Sequence, residues 1–399
     1  MKKKDKLSYY LSQCFYWAAA LAISGYVVVY LQEYRFTYTE IGLVMSVANI
    51  LACLIQPLMA SYLSKPGTPQ VKMVLYVYFS ASIAILLLLA VMPLGVLARA
   101  VAYTLLYMLN LVILPLFNAI TIHLINSGYR NIDFGISRGY GSFTFSLSSI
   151  ILGKLVANFG VISILIFSIG SYFLTYLALV NAHIPDENKV ATKEAVITTK
   201  LNIRKYITFV DHHKRYFLII TAVLFTFTYY YAIGQYALNI GEMLGGDRQS
   251  LGGALAINAF VEVPALLSFN KIAKRIDIKK ILILSSIFFC MKGAVYLIGT
   301  NVTYFYMAQL FQAISFALYL PAVTIFATSI MAKKDNLIAQ SLLTTAFTIG
   351  GVIGSYLGGR FIDLFSVRQM IIYMTPIALI GTVLIAISTI EFKKGATKR

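Results

Sequence analysis

The stretch DFGISRGYGSFTFSLSSIILGKLVAN at residues 133–158 is long and apolar enough to cross a lipid bilayer, which needs about 20 such residues. It nevertheless carries a permanent cation, Arg138, near its start, and glycines at 135, 139, 141 and 153. Charge is costly at membrane depth and glycine weakens helices. Both features therefore indicate a task beyond spanning the membrane.

Similar apolar stretches recur through the chain of 399 residues, of which 59% are hydrophobic and 12% charged. A soluble protein of this length needs more charge to cover its surface. Lipid offers backbone groups no partner, and barrel strands are about half as long and alternate in polarity, so helices are predicted. We predict an all-α membrane protein with twelve transmembrane helices, at residues 9–31, 39–63, 71–93, 96–124, 134–158, 161–183, 214–239, 249–272, 279–299, 302–331, 337–362 and 368–391.

The formal net charge of +18 is distributed asymmetrically between the two sides of this threading. With the N-terminus inside, 26 of the 33 lysines and arginines fall on the cytoplasmic side, whereas Lys154 and Lys292 fall inside helices. This asymmetry is the positive-inside pattern and argues against nucleic-acid binding. We expect a multi-pass protein of the cell (inner or plasma) membrane, with both termini cytoplasmic and the lipid bilayer as its surroundings.

The longest polar segment, residues 184–213, separates two sets of six predicted helices. We interpret it as a cytoplasmic linker between an N-terminal half at 1–183 and a C-terminal half at 214–399. Matches between the halves at a nearly constant shift of about 206 residues indicate duplication with parallel topology. The matches place Pro57 on Pro264, Pro115 on Pro321, and GKLVANF at 153–159 on GRFIDLF at 359–365.

Twelve helices in two parallel halves with a cytoplasmic linker resemble the plan of the major facilitator superfamily. Residues 42–67 and 134–153 are similar to the second and fifth helices of its lactose-permease group. VEVP at 261–264 and the glycine run at 350–359 resemble the wider branch of sugar, nucleoside and aromatic-acid proton symporters. The resemblance implies the major facilitator fold and a transport function.

The resemblance also implies site residues. In the lactose-permease group the arginine that matches Arg138 faces the central cavity and binds substrate, as a forked guanidinium can do; the alternative is a membrane anchor or gate residue. The group's carboxylate on helix four and His/Glu pair on helix ten are replaced here, where Asn118 and Gln312 are available. The lactose mechanism is therefore not expected as a whole.

Ionisable residues at membrane depth usually face a cavity and function there. Glu262 and Lys292 are predicted at similar mid-depth on helices eight and nine, so we expect them to pair, either as a proton- or substrate-linked pair or as a static ion pair. His123, near the cytoplasmic end of helix four, titrates in a range that suits a proton step, although a structural histidine is the alternative.

Aromatic and amide side chains in the two halves suggest a central cavity, because aromatic faces stack on sugar rings or nucleobases and amides form hydrogen bonds. Tyr30 and Tyr236 are instead expected in the interfacial belt. The predicted substrate-binding residues are Arg138, Trp17, Asn118, Tyr229, Tyr230, Gln235, Asn258 and Gln312.

We expect a secondary transporter that couples protons to symport of a small hydroxylated solute, a sugar, oligosaccharide or nucleoside, by alternating access. A drug or metabolite exporter and a non-transporting sensor or scaffold are the alternatives. No phosphate-binding glycine loop, metal-ligand spacing or nucleophile–base motif occurs in the sequence, so we expect no cofactor, no metal and no enzyme activity. A monomer is expected.

Overall fold

The computed structural model describes residues 3–63, 65, 68–127, 132, 134–184, 213–331 and 335–390. Eleven helices in this part of the chain are long and apolar enough to cross a membrane, and a bent pair at the N-terminus makes twelve. The predicted all-α class and number of spans are confirmed, with ends shifted by a few residues. The predicted linker, except for its first and last residues, lies outside the described residues.

The twelve spans are labelled α1 to α12 in chain order. α1 consists of Lys3–Ala20, a π-helical turn at Leu21–Gly25 and Val27–Glu33, and α10 of Val302–Leu310, a 3₁₀ turn at Phe311–Ala313 and Phe316–Ser329. The others are α2 Tyr38–Leu63, α3 Val71–Val91, α4 Val96–Asn126, α5 Phe134–Phe159, α6 Ile162–Asn181, α7 Lys214–Gln235 with a short extension Ala237–Met243, α8 Arg248–Ala273, α9 Ile278–Ile298, α11 Asn336–Leu364 and α12 Val367–Thr389.

Local sequence accounts for the starts of several helices. Asp247 begins α8 with a capping box, in which its carboxylate accepts from the backbone and hydroxyl of Ser250. These hydrogen bonds hold the pKa of the Asp247 carboxyl below its usual value. The side chains of Asn301 and Ser366 cap α10 and α12 by accepting from the backbone N–H groups of Thr303 and Gln369.

Helix packing in the first six helices recurs six helices later. α1 packs on α5 and α6 as α7 packs on α11 and α12, and the contacts of α2 with α4 and of α3 with α4 and α6 recur in α8–α10 and α12. The N-terminal bundle (α1–α6) and the C-terminal bundle (α7–α12) meet along two seams, α2 against α11 and α5 against α8. The two bundles therefore share one packing arrangement, and the α2–α11 seam corresponds to the α5–α8 seam.

Candidate functional site

The two bundles are joined by hydrogen bonds at one end, called the closed end and defined by Glu33, Tyr38, Arg248 and Asp363. The Asp363 carboxylate accepts from the backbone of Tyr38 and from the backbone and hydroxyl of Thr39, at 3.1, 2.6 and 2.6 Å. Arg248 Nη2 lies 2.7 Å from Glu33 Oε2. These contacts tie the start of α2 to α11 and the end of α1 to α8.

The α2–α11 seam separates towards the opposite end, called the open end and defined by Cys53, Ser341 and Thr345. Ser46 Oγ on α2 donates to the Val352 carbonyl on α11 at 2.7 Å. About two and three turns further along the same face of α11, Thr345 and Ser341 are exposed, as is Cys53 on α2. Exposed hydroxyls on the face that packs at the closed end indicate that the bundles diverge there.

The α5–α8 seam is also closely packed near the closed end, and this close packing depends on glycine. A Cβ on Gly252 would overlap the Ser149 carbonyl, so only glycine allows this backbone contact. One turn towards the open end, Ser146 Oγ donates to the Ala256 carbonyl at 3.0 Å. This antiparallel register, continued by two turns, places Arg138 opposite Glu262.

A cavity of about 380 Å³ lies between the bundles where the seams begin to separate. Its lining comes from α1, α2, α4, α5 and α7–α10 and includes the Ser24–Gly25 break in α1. Broken helices next to a central cavity are typical of transporter binding sites, because the freed backbone groups need polar surroundings. The aromatic lining includes Trp17, Tyr107, Phe145, Tyr229, Tyr230 and Tyr296, and the polar lining Asn49, Gln235, Asn258, Lys292 and Gln309.

Arg138 lies beside this cavity, against the ring of Trp17. Its Cζ is 4.4 Å from the centroid of the Trp17 ring, a cation–π contact. Gly141, one turn further along α5, leaves the space for this indole, since a Cβ there would overlap it. Arg138 and Gly141, which stand out in the sequence of α5, thus both pack against Trp17. Gly139, by contrast, faces open space.

The Glu262 carboxylate on α8 interacts electrostatically with Arg138 across the seam. It also interacts with the Gln312 side chain, at the break in α10. Gln312 Nε2 in turn donates to the Tyr230 hydroxyl at 3.4 Å, which connects the carboxylate to the lining of the cavity. The arrangement brings a cation of one bundle and a carboxylate of the other to the opening between them.

Lys292 is 7% exposed and belongs to a second polar group. Its Nζ donates to Gln309 Oε1 at 3.2 Å, and Asn258 Nδ2 donates to the same oxygen at 3.0 Å. Gln309 Nε2 donates to the Tyr296 hydroxyl at 2.8 Å. The expected pairing of Lys292 with Glu262 is absent from this conformation, because Gln309 holds the ammonium and Arg138 attracts the carboxylate.

The predicted site residues divide into three groups in the structure. Asn118 and His123 lie along α4 outside the cavity lining, seven and twelve residues beyond Leu111, or about 10 and 18 Å at the rise of a helix. The cavity takes Tyr107 and Leu111 from α4, so neither Asn118 nor His123 is part of its lining in this conformation, and their roles as substrate ligand and proton carrier stay predictions. Trp17, Tyr229, Tyr230, Gln235, Asn258 and Lys292 line the cavity, and Arg138, Gln312 and Glu262 lie against it.

Sequence reasoning missed Gln309, which accepts a hydrogen bond from Lys292, and Tyr296, whose hydroxyl accepts one from Gln309. Helical spacing is the signal that could have found them. Tyr296 follows Lys292 by four residues, and Gln309 precedes Gln312 by three, so each shares a helix face with a predicted residue. Gln235 also has a partner across the bundles, since its Nε2 donates to the Tyr107 hydroxyl at 3.2 Å.

A family model described as the MFS_1 like family matches residues 7–373. Multidrug resistance protein 2 of Bacillus subtilis (strain 168) is 29% identical over 146 residues, which cover 37% of this chain. The match spans only 36% of the length of that relative.

Two solved structures share the fold over nearly their whole length. The nucleoside transporter NupG superposes with a TM-score of 0.79 at 15% identity, covering 96% of this chain and 98% of that one. A bacterial homolog to the human lysosomal transporter Spinster, in an inward-facing and unoccupied conformation, superposes with a TM-score of 0.70 at 10% identity, covering 97% of each chain. At these identities the likeness shows the fold alone.

Proposed function

Since this chain belongs to the MFS_1 like family, we propose that it is a secondary transporter that moves a small solute across the membrane by alternating access. The cavity between the bundles is the observation that carries this proposal. It draws its lining from both bundles, which are joined at one end and separate towards the other. A solute bound there would leave through whichever end is open, and rocking of the bundles would exchange the ends.

The direction of opening follows from the charge pattern of the sequence. If both termini are cytoplasmic, as the positive-inside asymmetry indicates, the closed end with Arg248 and Asp363 faces outwards. The open end with Ser341 and Thr345 then faces the cytoplasm. The conformation described here is therefore proposed to be inward-facing.

The lining favours a hydroxylated solute with a ring. Trp17 and Tyr230 offer aromatic faces, while Asn258 and Gln235 offer amide groups. A cavity of about 380 Å³ suits a single sugar or nucleoside better than a long oligosaccharide. The likeness of fold to a nucleoside transporter supports this class.

Proton coupling is assigned to Glu262, with Arg138 as its partner. When the open end closes, α5 and α8 approach each other, and the side chains of Arg138 and Glu262 come close enough to form an ion pair. A proton on Glu262 removes that attraction, so the end can open and the solute and proton leave together. Protonation of Glu262 is thus a condition for opening this end, and this condition couples the flux of protons to the flux of solute.

Export of lipophilic compounds is the second candidate, because the curated relative is named as a multidrug resistance protein. Such an exporter needs an apolar binding surface. The polar group around Lys292 and the Arg138–Glu262 attraction favour a polar solute instead.

Thermal unfolding of the purified protein distinguishes these functions, because a ligand that binds the folded state raises its stability. We expect a nucleoside, sugar or aromatic acid from a panel to raise the Tm of the parent protein but not of Trp17→Ala. Phe159→Ala, at an exposed position outside the cavity lining, is the control and should respond as the parent does. A panel in which only lipophilic cations raise the Tm supports export, and the absence of any response contradicts both functions.

A further inference from the structure

Lys292 stands out among the polar residues of the cavity because, in the described part of the chain, no acidic side chain forms an ion pair with its ammonium. It is 7% exposed, lines the cavity, and donates to the neutral amide oxygen of Gln309 at 3.2 Å. Among the described residues no carboxylate lies within ion-pair distance of Nζ. Asn258 donates to the same amide oxygen, so the ammonium shares its acceptor with a second donor.

The charges around the cavity do not balance. Arg138 and Glu262 attract each other across the α5–α8 seam and offset one another. Among the described residues around the cavity, Lys292 therefore leaves an excess of one positive charge. An ammonium has three donors and a large desolvation penalty, which a single shared amide oxygen offsets poorly.

A buried ionisable residue without a counter-ion in a membrane protein is a functional candidate, and a ligand can supply the missing charge. The excess positive charge of the cavity determines the charge that the ligand group must carry. A carboxylate brings one negative charge, which matches the excess, whereas a phosphate monoester brings nearly two at neutral pH. Lys292 sits beside the aromatic and amide lining, so a hydroxylated ring can occupy the rest of the cavity.

We propose that the transported solute is a monocarboxylic acid with a hydroxylated ring, such as a sugar acid or an acidic nucleoside, and that its carboxylate binds the Lys292 ammonium. This inference rests on the transport function proposed above and narrows its solute class. While the cavity is empty, Gln309 accepts a hydrogen bond from the Lys292 ammonium. When the acid enters, its carboxylate replaces Gln309 as the acceptor. Asn258 then keeps a partner, because the amide oxygen of Gln309 remains available to it.

The single tryptophan of the chain, Trp17, lines the same cavity and provides the measurement. Its fluorescence is titrated in the purified full-length protein with two matched sets of probes. The first set is glucose, glucuronate and glucose 6-phosphate, and the second is uridine, orotidine and uridine 5′-monophosphate. Each set varies the charge at a similar ring.

We expect glucuronate or orotidine to bind at least tenfold more tightly than its neutral counterpart. Lys292→Gln should lose that preference, while Lys292→Arg should keep part of it because the positive charge remains. Lys154→Gln is the matched control, since Lys154 is an exposed lysine inside α5 that does not line the cavity. It should bind all probes as the parent does.

Equal binding of neutral and acidic probes by the parent protein overturns the inference but leaves the transport function standing. A preference for the phosphate probes, or a carboxylate preference that persists in Lys292→Gln, overturns it as well. Failure of all six probes to bind contradicts the inference and the proposed solute class together. The comparison of probes in the parent protein does not depend on whether any variant folds.

Discussion

The guanidinium of Arg138 lies over the indole of Trp17, with 4.4 Å between Cζ and the ring centroid. The stacking partner comes from α1 of the same bundle, whereas the electrostatic partner, Glu262, comes from the other bundle. One face of the cation is therefore fixed by its own bundle, and its charge acts across the seam. This arrangement connects the solute cavity to the closure of the open end.

Arg138→Lys should weaken solute binding at least tenfold while the protein still folds and inserts. An ammonium cannot stack on Trp17 as a planar guanidinium does, nor form two parallel hydrogen bonds. Binding is measured by Trp17 fluorescence and folding by the Tm. Arg360→Lys, an exposed arginine near the closed end, is the control. Undiminished binding in Arg138→Lys would assign this residue to anchoring instead.

Glu262→Gln should abolish accumulation of solute driven by a pH gradient but retain exchange of labelled for unlabelled solute. The amide mimics the protonated carboxylate, so the protein can reorient with solute bound, but it can no longer release a proton. Uptake and exchange are compared in proteoliposomes. Glu242→Gln removes a carboxylate at the closed end and should leave both activities unchanged. Accumulation by Glu262→Gln at the parent level would place the proton carrier elsewhere.

Gly252→Val should prevent the closed end from closing, because its side chain would meet the Ser149 carbonyl. The cavity should then become accessible from the side opposite to that of the parent. The measurement is labelling of Asn258→Cys by a membrane-impermeant thiol reagent, after Cys14, Cys53 and Cys290 are replaced by serine.

Gly170→Val is the matched control for this substitution. Gly170 lies in α6, and a Cβ there would meet no atom within 4 Å. This variant should label from the same side as the parent. Identical labelling of Gly252→Val and Gly170→Val would exclude the close α5–α8 contact from the transport cycle.

Lys292→Met should stabilise the protein by about 1–2 kcal/mol, because it removes a poorly compensated buried charge and keeps the side-chain volume. The change is measured as an increase in Tm in the absence of solute. Lys154→Met, at an exposed position, should leave the Tm nearly unchanged. A decrease in the Tm of Lys292→Met would indicate that the ammonium serves packing rather than binding.

Much of the fold could be predicted from the sequence, because lipid restricts the backbone to helices and leaves their lengths visible as apolar runs. The predicted resemblance to the major facilitator superfamily is confirmed by the family match. The prolines at 57, 115, 264 and 321 lie inside α2, α4, α8 and α10, at corresponding positions of the two bundles. The repeat was therefore visible in residues that most helices avoid.

The site was predicted less completely, since sequence gives depth along a helix but not the neighbour across it. Glu262 and Lys292 were expected to pair on depth alone, yet Gln309 lies closer to the ammonium. Tyr30 and Tyr236 were expected in the interfacial belt, which is wrong, because both are fully buried. Tyr30 accepts a hydrogen bond from Arg99, and the Tyr236 hydroxyl donates to backbone carbonyls on α2 and α11.

Accumulation of labelled solute in proteoliposomes tests the central proposal of proton-driven alternating access most directly. Vesicles that contain the purified protein receive an acid-outside pH gradient and a labelled acid or nucleoside that binds the cavity. We expect the internal concentration to rise above the external one and to fall back when a protonophore collapses the gradient. Internal and external concentrations that merely equalise, with or without the pH gradient, would contradict proton coupling, and vesicles that admit no solute would contradict transport itself.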